Sequence, residues 1–190
     1  MSQTKDWRER WQQSAELLER KTGAGVKEWN RRVVDTGIGT ESELKKWLKE
    51  QGVTGFAQTL LVRERFGYPE YTTASADELV EGQYAGKESL RPIYDRLIAV
   101  AADVGEVTLQ VRKSYVSLMT PKRKFAVVKA STKTRVDLGM RIEDVEPHGR
   151  LESAQVMRDE SSTVRIPLTS ESDVDDEVAD WLAKAYQANS

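Results

Sequence analysis

The chain has no cysteine and a single histidine, His148, in 190 residues. The first absence excludes disulfides and thiol nucleophiles, and the two together leave no way to assemble the cysteine and histidine ligand sets of zinc or haem. Metals bound through oxygen remain open. Asp137, Glu143, Asp144 and Glu146 supply carboxylates for a magnesium ion, but their spacing matches no known metal loop, so neither a metal nor another cofactor is expected. No apolar run approaches the roughly 20 residues that a membrane span needs. Residues 1–20 are charged throughout and hold no signal-peptide core. A cytoplasmic protein with no membrane partner is the expectation.

Acid is what the middle of the chain lacks. Overall, 31 acidic and 29 basic residues give a net charge of −2. Between Gln110 and Arg135, however, stand eight basic residues (Arg112, Lys113, Lys122, Arg123, Lys124, Lys129, Lys133, Arg135) and no acidic one. Residues 136–190 invert this, with 5 basic against 13 acidic, so the molecule is electrically polar rather than uniformly acidic.

What is present is patterned. Up to about Phe66 the apolar residues recur at helical spacing: Trp7, Trp11, Leu17 and Leu18, then Val26, Trp29 and Val33, then Leu44, Trp47 and Leu48, then Phe56, Leu60 and Leu61. Four short helices follow, punctuated by glycine at residues 23–25, 37–39 and 52–55. Thr40-Glu41-Ser42-Glu43 reads as a capping box that starts a helix at Glu41. Four of the five tryptophans lie here, where a small domain needs large side chains to fill its core. Residues 67–86 show no clear periodicity and read as a linker, with Tyr68 and Tyr71 as residues that dock on a neighbour. A helix from Glu88 to Asp103 opens the second domain, with Pro92 in its first turn. Strand signals follow at 107–111, 115–119, 125–129, 135–140 and 164–168, with residues 120–123 as a hairpin loop. Ser170 with Asp173 predicts a closing helix over 171–187. The whole is α+β: a helical domain over 1–66, a linker over 67–86, and over 87–190 an antiparallel sheet of about five strands with helices on one face.

Two blocks of residues carry a resemblance. Lys21-Thr22-Gly23, Glu28-Trp29, Leu44-Lys45-Lys46-Trp47-Leu48-Lys49 and the stretch from Gly52 to Leu60 resemble a small bacterial helical domain, domain of unknown function family 4287. Tyr115-Val116-Ser117-Leu118, Phe125-Ala126-Val127-Val128, residues 131–139 from Ser131 to Gly139, and Gly149-Arg150-Leu151-Glu152 are similar to domain of unknown function family 5655. Modules of that kind are sometimes labelled predicted transport proteins and also occur beside restriction-endonuclease-like domains. The resemblance implies the tandem arrangement and carries no catalytic residue.

Strand alternation places Val136, Leu138 and Met140 on one face of the sheet and Arg135 and Asp137 on the other, with Tyr115, Ser117 and Lys129 following the same rule. The expected site is therefore a solvent-facing basic face formed by Arg112, Tyr115, Ser117, Lys129, Lys133 and Arg135. Guanidinium forks, ammonium groups and hydroxyls in that setting suit phosphate. A solvated face whose lysines discourage edge pairing competes on even terms. Ser131 and Lys133 read better as an anion-holding loop than as a nucleophile pair, and His148 as a surface residue in a turn. Gly52-Val53-Thr54-Gly55-Phe56-Ala57 is similar to the glycine turn of helix-hairpin-helix modules, with spacing that departs from theirs. The leading expectation is a non-enzymatic module binding nucleic acid or another polyanion. The alternatives are a protein-interaction adaptor or self-associating protein, in which the basic strip meets the acidic C-terminal helix of another chain, and a small-molecule enzyme with a pocket beside the long connection 141–162.

Overall fold

Helical spacing in the first third becomes four helices: α1 (Trp7–Thr22), α2 (Val26–Asp35), α3 (Glu41–Glu50) and α4 (Gly55–Phe66). The computed structural model describes residues 7–69 and 74–190, and the chain divides into two units, one ending at Ala74 and the other beginning at Ser75. Tyr71 and the side chain of Trp7 lie outside the described residues.

Leu18, Trp29, Val33, Leu44, Leu48, Val53 and Leu61 form the core of the helical unit. Trp47 packs edge-on to Trp29 at a ring separation of 6.1 Å, and the Trp29 indole donates to the Thr22 hydroxyl at 2.8 Å. One polar node ties the helices together. Glu64 of α4 accepts hydrogen bonds from the Trp11 indole of α1 at 2.9 Å, from Asn30 of α2 at 3.2 Å and from the Tyr68 hydroxyl. Burial by itself pushes the Glu64 carboxyl up, but the bonds from Tyr68, Trp11 and Asn30 outweigh it and hold the group below the usual carboxylate range. Thr40 caps α3 by accepting from the Glu43 amide at 3.3 Å.

The segment expected as a linker holds a helix, α5 (Ala76–Tyr84), which a reciprocal capping box between Ser75 and Glu78 starts. Its buried residues Leu79, Val80, Gln83 and Tyr84 stand at helical spacing, but the helix has only 9 residues and one of the four is polar, too short a pattern for periodicity alone to reveal. A 3₁₀ turn (Glu88–Leu90) leads into α6 (Arg91–Asp103), with Pro92 in the first turn, where its missing N–H costs nothing.

Six strands follow: β1 (Thr108–Val111), β2 (Val116–Met119), β3 (Lys124–Ala130), β4 (Val136–Met140), β5 (Glu152–Ser153) and β6 (Val164–Leu168). They pair antiparallel in the order β1-β2-β3-β4-β6-β5. The strand that the sequence reading lacks is β5, which at two residues is too short to alternate. Pro167 pairs with Asp137 on one side, beyond the two residues of β6 that β5 reaches on the other, a position where proline is tolerated. The Ser170 and Asp173 box caps a single 3₁₀ turn (Glu171–Asp173), and a second cap from Asp175 begins the closing helix α7 (Asp176–Asn189), so the helix starts five residues later than its first capping signal predicts.

Val116, Leu118, Val128, Val136, Leu138, Met140, Ile166 and Leu168 are buried on one side of the sheet, where α7 lies over β3. A register shift after Leu118 leaves Phe125 as the extra residue of a β-bulge. The bulge lets Phe125 meet Tyr186 of α7 edge-on at 5.5 Å while Lys124 turns to the opposite side. That opposite side is not open to water as expected. The connection 141–163 lays its 3₁₀ turn (Ala154–Met157) across it, and Ala154 and Met157 bury Val127 with Tyr115 packed alongside. Gly139 is what allows this approach: a Cβ there would lie 2.7 Å from both Met157 Sδ and Ser162 Oγ.

Candidate functional site

In a meander of antiparallel strands, successive hairpin loops emerge at alternate ends of the sheet. The β1–β2 loop (112–115) and the β3–β4 loop (131–135) therefore share one end, while the β2–β3 loop (120–123) lies at the other. Backbone bonds from Arg112 N to Tyr115 O (2.9 Å) and from Thr132 N to Arg135 O (3.3 Å) close the two loops. Two residues from outside the sheet brace this end. The Gln83 amide of α5 donates to Arg112 O at 2.7 Å and to Tyr115 O at 3.3 Å, and the Lys87 ammonium donates to Ala130 O at 2.7 Å.

This arrangement splits the basic strip three ways. Arg112, Lys113 and Lys133 are exposed on the braced loops. Arg112 bonds the Gln110 side chain at 3.0 Å, and neither it nor Lys133 pairs with a carboxylate among the described residues. Lys122 and Arg123 sit at the far end and donate to the carbonyls of Ser190 (2.7 Å) and Ala188 (3.1 Å), where the negative end of the α7 dipole favours cations. Lys124 and Lys129 belong to the covered face. The Lys124 ammonium meets Asp159 at 2.6 Å, and Lys129 donates to the Met157 carbonyl at 3.3 Å.

The expected single basic face is therefore corrected. Ser117 is 3% exposed, and Tyr115 and Lys129 lie beside the overlying turn. Arg135 is held by Asp137, through a 3.3 Å bond from Nη2 to Oδ2. Alternation reports which residues share a face, not whether another segment covers it.

Asp137 is the centre of an ion network on that face. Only 1% exposed, it accepts from Arg165 as well as Arg135, and Arg165, itself 7% exposed, reaches on to Glu152 of β5. Asp137 is thus committed to guanidinium groups rather than to a metal. No cluster of three carboxylate or histidine side chains able to hold a metal occurs among the described residues.

Next to this network lies a cleft of about 140 Å³, bounded by Ser114 and Tyr115 from the β1–β2 loop, Val127 and Lys129 from β3, and Met157, Arg158 and Asp159 from the connection. Arg158 has a left-handed backbone, φ 53°, uncommon for a residue with a side chain. The Asp159 carboxylate is satisfied on both oxygens, by Lys124 and by the hydroxyls of Ser161 (2.8 Å) and Ser162 (2.6 Å). Burial pushes this carboxyl up, and the Lys124 and serine bonds bring it below its ordinary value. Sequence reasoning missed Arg158 and Asp159, since neither lies in a regular element. The length of their connection is the one signal that pointed there.

The remaining candidates are accounted for locally. Thr132 accepts from the Thr134 amide at 3.2 Å, and Ser131 bonds the Lys129 carbonyl at 3.5 Å rather than Lys133. His148 is exposed, with Nδ1 2.8 Å from Glu146 O and its ring 5.7 Å from that of Trp181. Gly52 (φ 79°) and Gly55 (φ 65°) form the turn between α3 and α4, and no side chain caps α4. The acids around the start of α7 are gathered by Arg150, which donates to Asp175 at 2.7 Å, to Glu177 at 3.3 Å and to the Asp173 carbonyl at 2.6 Å.

A family model described as a domain of unknown function, DUF5655, matches residues 80–189. The chain belongs to that family. The DUF5655 match begins inside α5 and takes in α6, the whole sheet, the covering connection and almost all of α7, so both the braced loop end and the cleft fall within it. No curated protein and no solved structure matches the chain.

Proposed function

We propose that this protein is a non-enzymatic module that binds nucleic acid by gripping phosphates with the loop end of its sheet. The observation that carries the reading is that the two hairpin loops bearing Arg112, Lys113 and Lys133 emerge at one end of the sheet, with Arg112 and Lys133 unmatched by carboxylates among the described residues. The loops stand two strand spacings apart, about 10 Å. That separation lets cations on both contact different phosphates of one backbone. Bracing by Gln83 and Lys87 lowers the ordering cost of binding, because the loops are held before any ligand arrives.

Contact through phosphate alone is electrostatic and indifferent to sequence. Three neutralised phosphates give a slope of log K against log salt of about −2.7 on duplex DNA. Fluorescence anisotropy of single- and double-stranded oligonucleotides across a salt series tests this. Replacing Arg112 and Lys133 together by alanine should flatten the slope by about 1.8. Absence of binding at low salt, or a double variant that binds like the parent, would overturn the reading.

The proposal also takes the helical unit as a bacterial domain of the family-4287 type and the protein as cytoplasmic. No helix among the described residues is long and apolar enough to cross a membrane, which accords with that location. The adaptor reading is less favoured, because Arg150 already engages Asp175 and Glu177, acids on which it depends.

A further inference from the structure

From the cleft between the sheet and its covering connection, we infer that the protein has a second site, beside the loop end but lined by neither Arg112 nor Lys133, which takes a small free phosphate-bearing ligand. Four observations converge there. The Lys129 ammonium lies in the cleft wall with a carbonyl as its partner and no ion pair among the described residues, because Arg135 and Arg165 take the carboxylate of Asp137, its neighbour across the strand pair. A buried or half-buried ammonium without a counter-charge is a standing demand for an anion.

Arg158, an exposed residue of the connection that lines the cleft, supplies a second positive charge, and its left-handed φ of 53° costs free energy that a glycine would not. The one carboxylate present, Asp159, is already offset by Lys124 at 2.6 Å and by two serine hydroxyls, so it does not cancel Lys129 and Arg158. Ser114 and Tyr115, both hydroxyl-bearing, also line the cleft, and Val127 and Met157 add apolar surface.

Two cations and two hydroxyls provide more donors than a carboxylate's two oxygens can use, and suit a tetrahedral phosphate. The volume of about 140 Å³ admits that group with a small organic substituent. Lys129 contributes a point charge and Arg158 a planar fork, so the two play different parts in holding the group.

The full-length chain, labelled with ¹⁵N, titrated with inorganic phosphate and separately with acetate, tests the site by NMR. Saturable shifts confined to residues 114–115, 127–129 and 157–159 are expected with phosphate and not with acetate. Lys129→Met keeps the aliphatic stem and should weaken phosphate binding about tenfold or more. Arg158→Gly relieves the left-handed backbone, so it folds, and should weaken binding to a similar degree. No saturable shift at tens of millimolar phosphate, shifts of equal strength with acetate, or full affinity in both variants would overturn the inference. A response to a 5′-phosphorylated oligonucleotide but not to inorganic phosphate would also overturn it, by assigning the cleft to the polymer. Arg112→Ala/Lys133→Ala leaves the phosphate response intact on this account, so loss of nucleic-acid binding and loss of the cleft site are read independently.

Discussion

The two faces of one sheet are buried by opposite means. On the helix side, Leu118, Val128, Leu138 and Ile166 are fully buried apolar side chains beneath regular elements. On the other side Asp137, Arg165, Ser117 and Lys129 lie beneath an irregular connection whose only regular pieces are a two-residue strand and a 3₁₀ turn. The first face tolerates any neighbour of suitable shape, because apolar contact has no direction. The second must give each charge a counter-charge or a hydrogen-bond acceptor, since a buried ion left with neither costs several kcal/mol. Irregular backbone is suited to such matching, because it can bring Glu152 to Arg165, the Met157 carbonyl to Lys129 and Asp159 to Lys124 from one segment of about twenty residues.

Breaking the charged face should have the largest effect. Asp137→Ala leaves Arg165 buried with one of its two carboxylates gone, and a loss of about 3 to 5 kcal/mol is expected by urea denaturation. On the apolar face, Leu138→Ala opens a cavity at a fully buried position and should cost about 2 to 5 kcal/mol. The sharper contrast lies in rescue. Asp137→Leu combined with Arg165→Met should recover most of the stability lost in the single aspartate variant, because the pair is replaced by apolar groups of similar size. A double variant no more stable than Asp137→Ala would mean that the polar face is specified by more than charge balance.

Contact between sheet and connection is probed by Gly139→Ala. The new Cβ meets the ends of two side chains, Met157 and Ser162, rather than backbone, so the neighbours can shift at a cost of about 1 to 3 kcal/mol. Displacement of Met157 also disturbs the cleft wall. Weaker phosphate binding together with a lower urea midpoint is therefore expected in this variant, whereas Leu138→Ala should lower the midpoint alone.

How much of this was readable follows the same division. The apolar face announces itself through alternation in β2, β3, β4 and β6, and the helical unit through its spacing and its Thr40 cap, so both are legible in the sequence. The charged face is legible in composition but not in exposure, because the segment that covers it has no period to detect. Helix α5 was hidden for a related reason: its 9 residues repeat the helical spacing only once, although Ser75 and Glu78 stand at capping-box spacing. Of the site residues, Arg112 and Lys133 stand on the loops between strands rather than on the sheet face expected of them, while Arg135 is engaged by Asp137, a partner two residues away. Local spacing allows that pair, but the second guanidinium on Asp137 comes from Arg165, which no local pattern links to it.

The smallest effect concerns the cap that ends β6 and precedes α7. Bonds from the Thr169 amide at 2.7 Å, from the Ser170 amide at 3.0 Å and from the Thr169 hydroxyl at 3.0 Å hold the Asp173 carboxyl down to about 2. A carboxyl depressed in the folded state contributes stability that is fully present above its unfolded value near 3.9 and is lost as pH falls through the folded one. Asp173 is accessible to solvent, so screening keeps the contribution small. The difference in urea midpoint between the parent and Asp173→Asn should therefore be measurable at pH 6 and shrink as the pH falls from 4 toward 2. A difference that holds constant across that window would show that the cap acts through its geometry alone.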